Sequence, residues 1–457
     1  MAGAHGITGW GAHLPYRRLD RAMISAVANT GGGQGTRTVA SYDEDTTTMG
    51  VEAARAALRG SPAGREGGSA PRVLWFATTE PAYGDKTNAT VLHAVLRLDR
   101  TAPAYDSVGS VRSAVAALRA AWQGHGTALV VASDRRTGLP GSADEAAGGD
   151  AAAALLVGGQ GVLAEIVAWE SVTEEFVDRW KSPGAPVSRA WEARFGETRY
   201  AALGAEALKL ALGAAGIGAD AVDHLIVAGL HDRAVTAVQR KSGVPAGKLA
   251  DRLAATVGNP GAAQPALLLA ATLEKAALEK APSGQWIVLL TLSDGADAIV
   301  LRTTDALAGY RPYRPVLSQV EAGGPINYGR YLHWRGFLPV EPPRRPEPAR
   351  VSAPAAQRNA DWKYGLVGPS GPWADVTGTI VTFTIDRLSY SLSPPVVFAI
   401  VDFDGGGRLP IELTDVDADE VAIGGRVEMT FRRLSTADAI HNYFWKARPV
   451  RGVQAEG

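Results

Sequence analysis

The chain has 457 residues, more than one hydrophobic core usually serves, so two or three folding units are expected. Apolar residues make up 46% and charged residues 20%, which excludes a predominantly disordered polypeptide. With 46 Lys plus Arg against 47 Asp plus Glu, no net field steers the chain onto nucleic acid or an anionic membrane, and with no cysteine it builds no disulfide, thiolate zinc site or cysteine nucleophile.

The opening MAGAHGITGWGAHLP lacks the charged-then-apolar pattern of a secretory leader, and no run approaches the roughly 18 apolar residues of a membrane span, so a cytoplasmic protein is expected. TGGGQG at 30–35 lacks the Lys-Ser/Thr and the preceding strand of a phosphate loop and reads as a flexible loop. Up to about residue 305, short β-rich apolar runs alternate with Ala/Leu-rich stretches of helical period, the pattern of a layered α/β architecture. Buried strands are expected at 73–78, 128–133, 152–157, 224–228 and 286–292, and helices at 49–58, 111–122, 200–215, 235–242 and 265–278. GGDAAAALLVG at 148–158 and LSDGADAIVLR at 292–302 repeat one beat, a turn feeding a buried strand, which fits a fold built from two related halves.

Residues 306–374 change character, with EPPRRPEP at 341–348 in place of periodic helix, and are expected to form an extended linker. Tyr328, Tyr331, Trp334, Trp362 and Tyr364 suggest that it is pinned to a surface. From about 375, VTGTIVTFTID, VVFAIVDFD, GRLPIEL, RVEMTFRRL and NYFWKARPV are five strand-like runs separated by Gly, Pro and Asp turns, the texture of an OB-fold barrel. Alternate members of Tyr443, Phe444 and Trp445 would fill that barrel, and the absence of a basic stripe argues against nucleic acid as its ligand. The division expected is 1–305, 306–374 and 375–457.

Five segments, in order, resemble the hydroxymethylglutaryl-CoA synthases of the thiolase superfamily. TRTVASYDEDTTTMGVEAARAAL at 36–58 resembles their acidic-Asp-Thr-x-Thr-Met run, and its acidic residues also suit the positive end of the helix they open. FATTEPAYGDKTNA at 76–89 resembles the segment that supplies the family's catalytic glutamate, which implies Glu80. LIVAGLHDRAVTAVQRKSGVP at 225–245 places His231 where the family keeps a histidine for the thioester oxygen or for proton movement. TVGNPGAAQPALLLA at 256–270 resembles the superfamily's Gly-Asn turn and implies Asn259 as an oxyanion donor, and LSDGADA at 292–298 resembles the final glycine loop, with Ser293 retained. The C-terminal part resembles the OB-fold partner proteins of thiolase-like enzymes. The fold this implies is a duplicated thiolase-like α/β/α/β/α domain followed by an all-β OB-fold.

The family loads an acyl group onto a cysteine at the start of a buried helix; counting through DSVGSVRSAVAAL places that position at Val111, which cannot be acylated. Ser110 is the adjacent hydroxyl, but side chains one residue apart leave a helix in different directions. The partner family's zinc ribbon is likewise missing, GPSGPWAD standing roughly in its place, so no zinc is expected. Glu80, His231 and Asn259 in one pocket would suffice for enolate chemistry on a coenzyme A thioester, making or breaking a carbon–carbon bond by aldol or retro-aldol reaction. Two alternatives stand beside this: an acyltransferase or condensing enzyme working directly or through Ser110, and a catalytically inactive scaffold that binds CoA esters for a partner enzyme of the same pathway. The resemblance also implies a homodimer joined through the central sheets.

Overall fold

The computed structural model describes residues 4–29, 33–61, 70–341, 360–368 and 371–451. The proline-dense stretch at 342–348 and residues 30–32 of the glycine loop lie outside the described residues.

Each apolar run that was read as a strand is buried on both faces, so its alternate residues enter different cores. In Asp150–Gly158, Ala151, Ala153 and Leu155 join one apolar cluster and Ala152, Ala154 and Leu156 another. This period-two split explains runs that are continuously apolar rather than alternating. The sheet that results has nine strands, in the order His224–Gly229, Trp286–Leu292, Ala296–Thr303, Ala164–Val172, Gly6–His13, Asp150–Gly158, Ala128–Arg135, Val73–Thr78 and Ala104–Val108. Starting from Gly6–His13, successive pairs along one arm are antiparallel, antiparallel and parallel; starting from Ala164–Val172, the other arm repeats that series. The two similar beats, Asp150–Gly158 and Ala296–Thr303, are the second strands of the two arms.

Helices Arg112–Gln123 and Gln264–Leu278 bury into the one cluster that both arms share, whereas Thr46–Gly60 covers the outer face of the first arm and Ala193–Ala215 with Asp232–Lys241 that of the second. The central strand Gly6–His13 escaped the sequence reading because its glycines dilute the β signal. They are needed for close approach: a Cβ on Gly11 would stand 2.2 Å from Ala57 N and 2.4 Å from Ala53 O of helix Thr46–Gly60.

Residues 306–374 depart from the extended linker expected of them. They contain helices Val316–Glu321 and Tyr328–Trp334 and a strand, Gly324–Ile326, that pairs parallel with Arg17–Asp20. Tyr328 and Tyr331 are buried with stacked rings 6.0 Å apart, and Trp334 Nε1 donates to Leu392 O at 3.1 Å, so packed aromatics rather than proline decide the conformation.

The five C-terminal runs form Gly378–Asp386, Val396–Phe403, Arg408–Glu412, Arg426–Ala437 and Ile440–Pro449. They are antiparallel neighbours in one sheet, and a parallel bridge between Leu413 and Ala447 joins its two ends into a barrel. Tyr443 and Trp445 point into it and Phe444 is half-buried, as alternation requires.

The barrel docks on helix Thr46–Gly60 through buried charge. Asp45 caps the helix, its Oδ1 accepting Thr48 N–H at 2.9 Å, while its Oδ2 accepts the Tyr443 hydroxyl at 2.9 Å. Asp43 receives Arg432 at 3.1 Å and Lys446 at 3.0 Å; Glu44 receives Arg432 at 3.2 Å and His13 at 2.7 Å. Two helix turns on, Glu52 receives Arg448 at 2.5 Å and Arg55 at 3.0 Å, and Glu428 receives both Arg448 and Arg314. Burial alone would raise the Asp43 carboxyl, but Lys446 and Arg432 outweigh it and hold the group at about 2, from an ordinary 3.8.

Arg432→Met leaves Asp43, Glu44 and Asp415 short of their shared cation and is expected to cost about 3–5 kcal/mol in urea denaturation. Because the folded-state value of Asp43 is depressed, its contribution is fully present above pH about 4 and is lost as pH falls through about 2. Acid titration should therefore show a loss of stability in that window that is smaller in Arg432→Met.

Candidate active site

A cavity of about 530 Å³ opens where the ends of several strands meet the N-terminus of helix Arg112–Gln123. Its wall includes Glu80, Ser110, Val111, Asp178, His231 and Ser293, so five of the six positions singled out in the sequence share one cleft. Asn259 does not line it. That residue sits in the wall of a neighbouring cavity of about 220 Å³, separated from the cleft by Arg136, Arg179 and Leu230, which border both.

Val111 is 2% exposed and stands at the N-cap of helix Arg112–Gln123 without a side-chain cap bond; Ser113 N–H and Ala114 N–H turn back to Ser110 O at 3.0 Å and Val111 O at 3.1 Å, and the positive end of the helix dipole lies beside an aliphatic side chain. Ser110 N–H donates to Ser113 Oγ at 3.3 Å. Across the cleft, Ser293 donates to Asp294 Oδ2 at 3.2 Å. The glycine after it is obligatory: Gly295 has φ +126°, and a Cβ there would lie 2.3 Å from Val172 O. Arg112 ties this loop to the helix, donating to Asp294 O at 2.6 Å and to Asp297 Oδ2 at 2.9 Å.

The three sequence-derived catalytic candidates all have structural partners. Glu80 follows strand Val73–Thr78, and its carboxylate is held by Arg135, Nη2 to Oε1 at 2.6 Å and Nε to Oε2 at 3.4 Å. His231 caps helix Asp232–Lys241: Nδ1 accepts Ala234 N–H at 3.2 Å and Nε2 donates to Ala193 O at 2.8 Å, which fixes the neutral Nε2–H tautomer. Asn259 spends its amide on the backbone, Nδ2 donating to Gly229 O at 2.8 Å and Oδ1 accepting Gly261 N–H at 3.0 Å. The expected convergence of a glutamate, a histidine and an asparagine on one thioester is therefore corrected for Asn259. A local reason is that the Asn-Pro-Gly turn consumes the side chain that shapes it. Buried Asp134 fastens the same region, accepting Thr78 Oγ1, Thr79 N, Thr79 Oγ1 and Ala262 N at 2.7–3.0 Å.

Two residues that sequence reasoning missed complete the cleft. Asp178 is 7% exposed, and burial pushes its carboxyl up, with His231 as the nearest opposing influence. Tyr200, from helix Ala193–Ala215, is pushed up to about 12 by burial and so stays a neutral hydroxyl. Its ring centroid lies 6.2 Å from that of His231. Asp178 had no periodic signal because it lies in the irregular segment before the short strands Arg179–Trp180 and Arg189–Ala190, whose connection closes over the cleft. Among the described residues, no group of three or more His, Cys, Asp or Glu is placed to hold a metal, and no helix is long and apolar enough to cross a membrane.

Over residues 373–432 the chain matches the family model described as ChsH2, C-terminal OB-fold domain. The hydroxymethylglutaryl-CoA synthase of Aeropyrum pernix is 28% identical over 351 residues, 73% of this chain and 95% of the relative. That of Methanothermobacter thermautotrophicus is 26% identical over 356 residues, 73% and 99%. Most of the chain is thus similar in sequence to hydroxymethylglutaryl-CoA synthases. In solved structures its fold matches MvaS in complex with 3-hydroxy-3-methylglutaryl coenzyme A, with TM-score 0.60, 21% identity, and 76% of this chain and 95% of that one covered. It also matches 3-oxoacyl-(acyl carrier protein) synthase III, FabH, from Pseudomonas aeruginosa PAO1, with TM-score 0.56, 20% identity, and 66% and 98% covered. In this synthase-like chain the thiolase-type α/β fold and the OB-fold barrel are thus joined in one polypeptide.

Gly196 is the point where helix Ala193–Ala215 presses on the cleft: a Cβ there would stand 2.2 Å from Asp178 Oδ1 and 2.7 Å from His231 Cδ2. Gly196→Ala is expected to cost about 1–3 kcal/mol in urea denaturation by overpacking, despite alanine's better helix propensity.

Proposed function

We propose that this chain binds an acyl-CoA or related acyl thioester in the cleft without forming an acyl-enzyme, and makes or breaks a carbon–carbon bond next to the thioester carbonyl. The observation that carries this reading is the position of Val111: the helix N-terminus that would stabilise a thioester oxyanion is present, and the atom that would accept an acyl group is absent. The relatedness to hydroxymethylglutaryl-CoA synthases, and CoA esters bound to structural neighbours, support the substrate class.

In the breaking direction, a carboxylate removes the proton of a β-hydroxyl group. The Cα–Cβ bond then cleaves, its electron pair passing into the thioester as an enolate, and protonation at Cα releases the shortened thioester and a carbonyl compound. The making direction is the reverse, and neither needs an external oxidant or reductant. We assign the proton transfer to Asp178, whose upward-shifted carboxyl faces the cleft beside His231, rather than to Glu80, which is tied to Arg135. Tyr200 is a neutral hydroxyl donor within the same wall. Release of Ala193 O by His231 would add a second donor.

The scaffold reading keeps one specific support, that Glu80, His231 and Asn259 all have protein partners already. One set of assays separates the two. With β-hydroxyacyl-CoA substrates, wild-type protein should release a carbonyl product, and Asp178→Asn should lower kcat about 10²–10⁴-fold. The pH profile should lose activity on acidification above the ordinary carboxylate range, since the shifted group is protonated there. Intact-mass spectra should show no acyl adduct on the wild type and an adduct on Val111→Cys, whose thiol sits at a helix N-terminus. Binding without turnover in the wild type would leave the scaffold.

The edge strand Ala104–Val108 supports a homodimer, with Tyr105 and Val108 each 48% exposed on the unpaired side of the sheet's last strand. Sedimentation should give twice the chain mass, and Tyr105→Asp should give the single chain.

A further inference from the structure

The cavity that holds Asn259 is more cationic than its role as a neighbour of the cleft requires. Arg21, Arg136, Arg179 and Arg252 line it, against Asp144 and Asp232. Arg179 is neutralised by Asp144 through a two-point pair at 2.6 and 2.7 Å, and Arg252 by Asp232 at 2.5 Å. Arg21 and Arg136 have no carboxylate partner among the described residues. Arg21 is anchored only by carbonyl oxygens, donating to Ala254 O at 2.5 Å and Gln34 O at 3.4 Å, and Arg136 donates to Thr79 Oγ1 at 3.2 Å. The Nε atoms of Arg21 and Arg252 are buried without a hydrogen-bond partner. Arg37 and Asp232 act on Arg21 in opposite senses, and Arg37 is itself paired with Asp150 at 3.3 Å.

We propose that this side cavity is a binding site for an oxyanion, a carboxylate or phosphate carried by the acyl chain or by the second reactant. Its position favours a reactant group over the coenzyme's own phosphates. The two cavities share Arg136, Arg179 and Leu230, the last directly preceding His231, so an anion held in the side cavity lies across a single wall from the cleft that includes Val111. At about 220 Å³ the cavity suits a small anionic group rather than an adenosine phosphate. Guanidinium groups left unpaired at such a wall are suited to two-point recognition of carboxylate or phosphate. The existence of the site stands on these residues alone; the identity of its ligand as part of a thioester substrate rests on the function proposed above.

The test uses calorimetry on the full-length chain with free glutarate, inorganic phosphate, CoA, butyryl-CoA and glutaryl-CoA. Wild-type protein is expected to bind glutarate or phosphate, and to bind glutaryl-CoA at least about tenfold more tightly than butyryl-CoA, the size of one lost charge-assisted contact. Arg21→Met, which alters only the side cavity, should abolish that preference while leaving butyryl-CoA affinity unchanged; Arg136→Met should also abolish it. Thermal melting identifies a variant that fails to fold, in which case the other variant carries the test. No binding of either free anion together with equal affinity for the two esters would overturn the proposal. Equal weakening of CoA, butyryl-CoA and glutaryl-CoA by Arg21→Met would also overturn it, by assigning the cavity to the coenzyme's phosphates. Arg21-dependent glutarate binding with no binding of any CoA ester would uphold the anion site and sink the thioester reading instead.

Discussion

The contact between the acidic start of helix Thr46–Gly60 and the cationic strands of the barrel is the constraint on which the rest of the molecule depends. Asp43, Glu44 and Glu52 are all but inaccessible, and so are Arg432, Lys446 and Arg448 opposite them. Charges this deep are tolerable only as a complete set, because each lost partner leaves another ion desolvated. The barrel is therefore an integral part of the fold: its removal would take the cations from these carboxylates and open the apolar face of helix Thr46–Gly60 to water. The same helix packs against the glycines of the central strand, so the docking contact and the middle of the sheet share one element.

The start of that helix also borders the cleft, Thr46 Oγ1 donating to Glu80 O at 2.8 Å, and the barrel reaches the same region, its His441 N–H donating to the Tyr83 hydroxyl at 2.8 Å. The cleft has the start of helix Arg112–Gln123 and buried Val111 in its wall, with no sulfur at that position. The groups inherited in sequence position, Glu80, His231 and Asn259, serve as brace, helix cap and turn. The group with an unusual proton affinity is Asp178, which belongs to the loop that closes the cleft.

The resemblance carried by short motifs located the cleft well, because motif residues at strand ends are brought together by the alternation of strand and helix itself. Val111, Ser110, Ser293, Glu80 and His231 are each the first residues after a regular element or beside one, so their convergence follows from the layered order. Asn259 fell outside because one turn of backbone hydrogen bonding rotates its amide away. Asp178 and Tyr200 were invisible because an irregular segment and one position on a 23-residue helix carry no spacing that separates them from solvent-facing neighbours.

By itself the sequence determined the kinds of element, their order, the barrel at the end and the absence of any thiol, since periodicity and composition are local properties that burial imposes residue by residue. It also determined that the segment DEDTTT opens a helix. Only the tertiary structure decided that all three of those acids face a barrel almost 400 residues away, that four arginines gather around Asn259, and that the aromatic stretch at 328–334 folds back as helix. The physical reason is that a charge or an aromatic ring has no preferred partner along the chain: its energy depends on which distant surface removes its water, and that is set when the layers close.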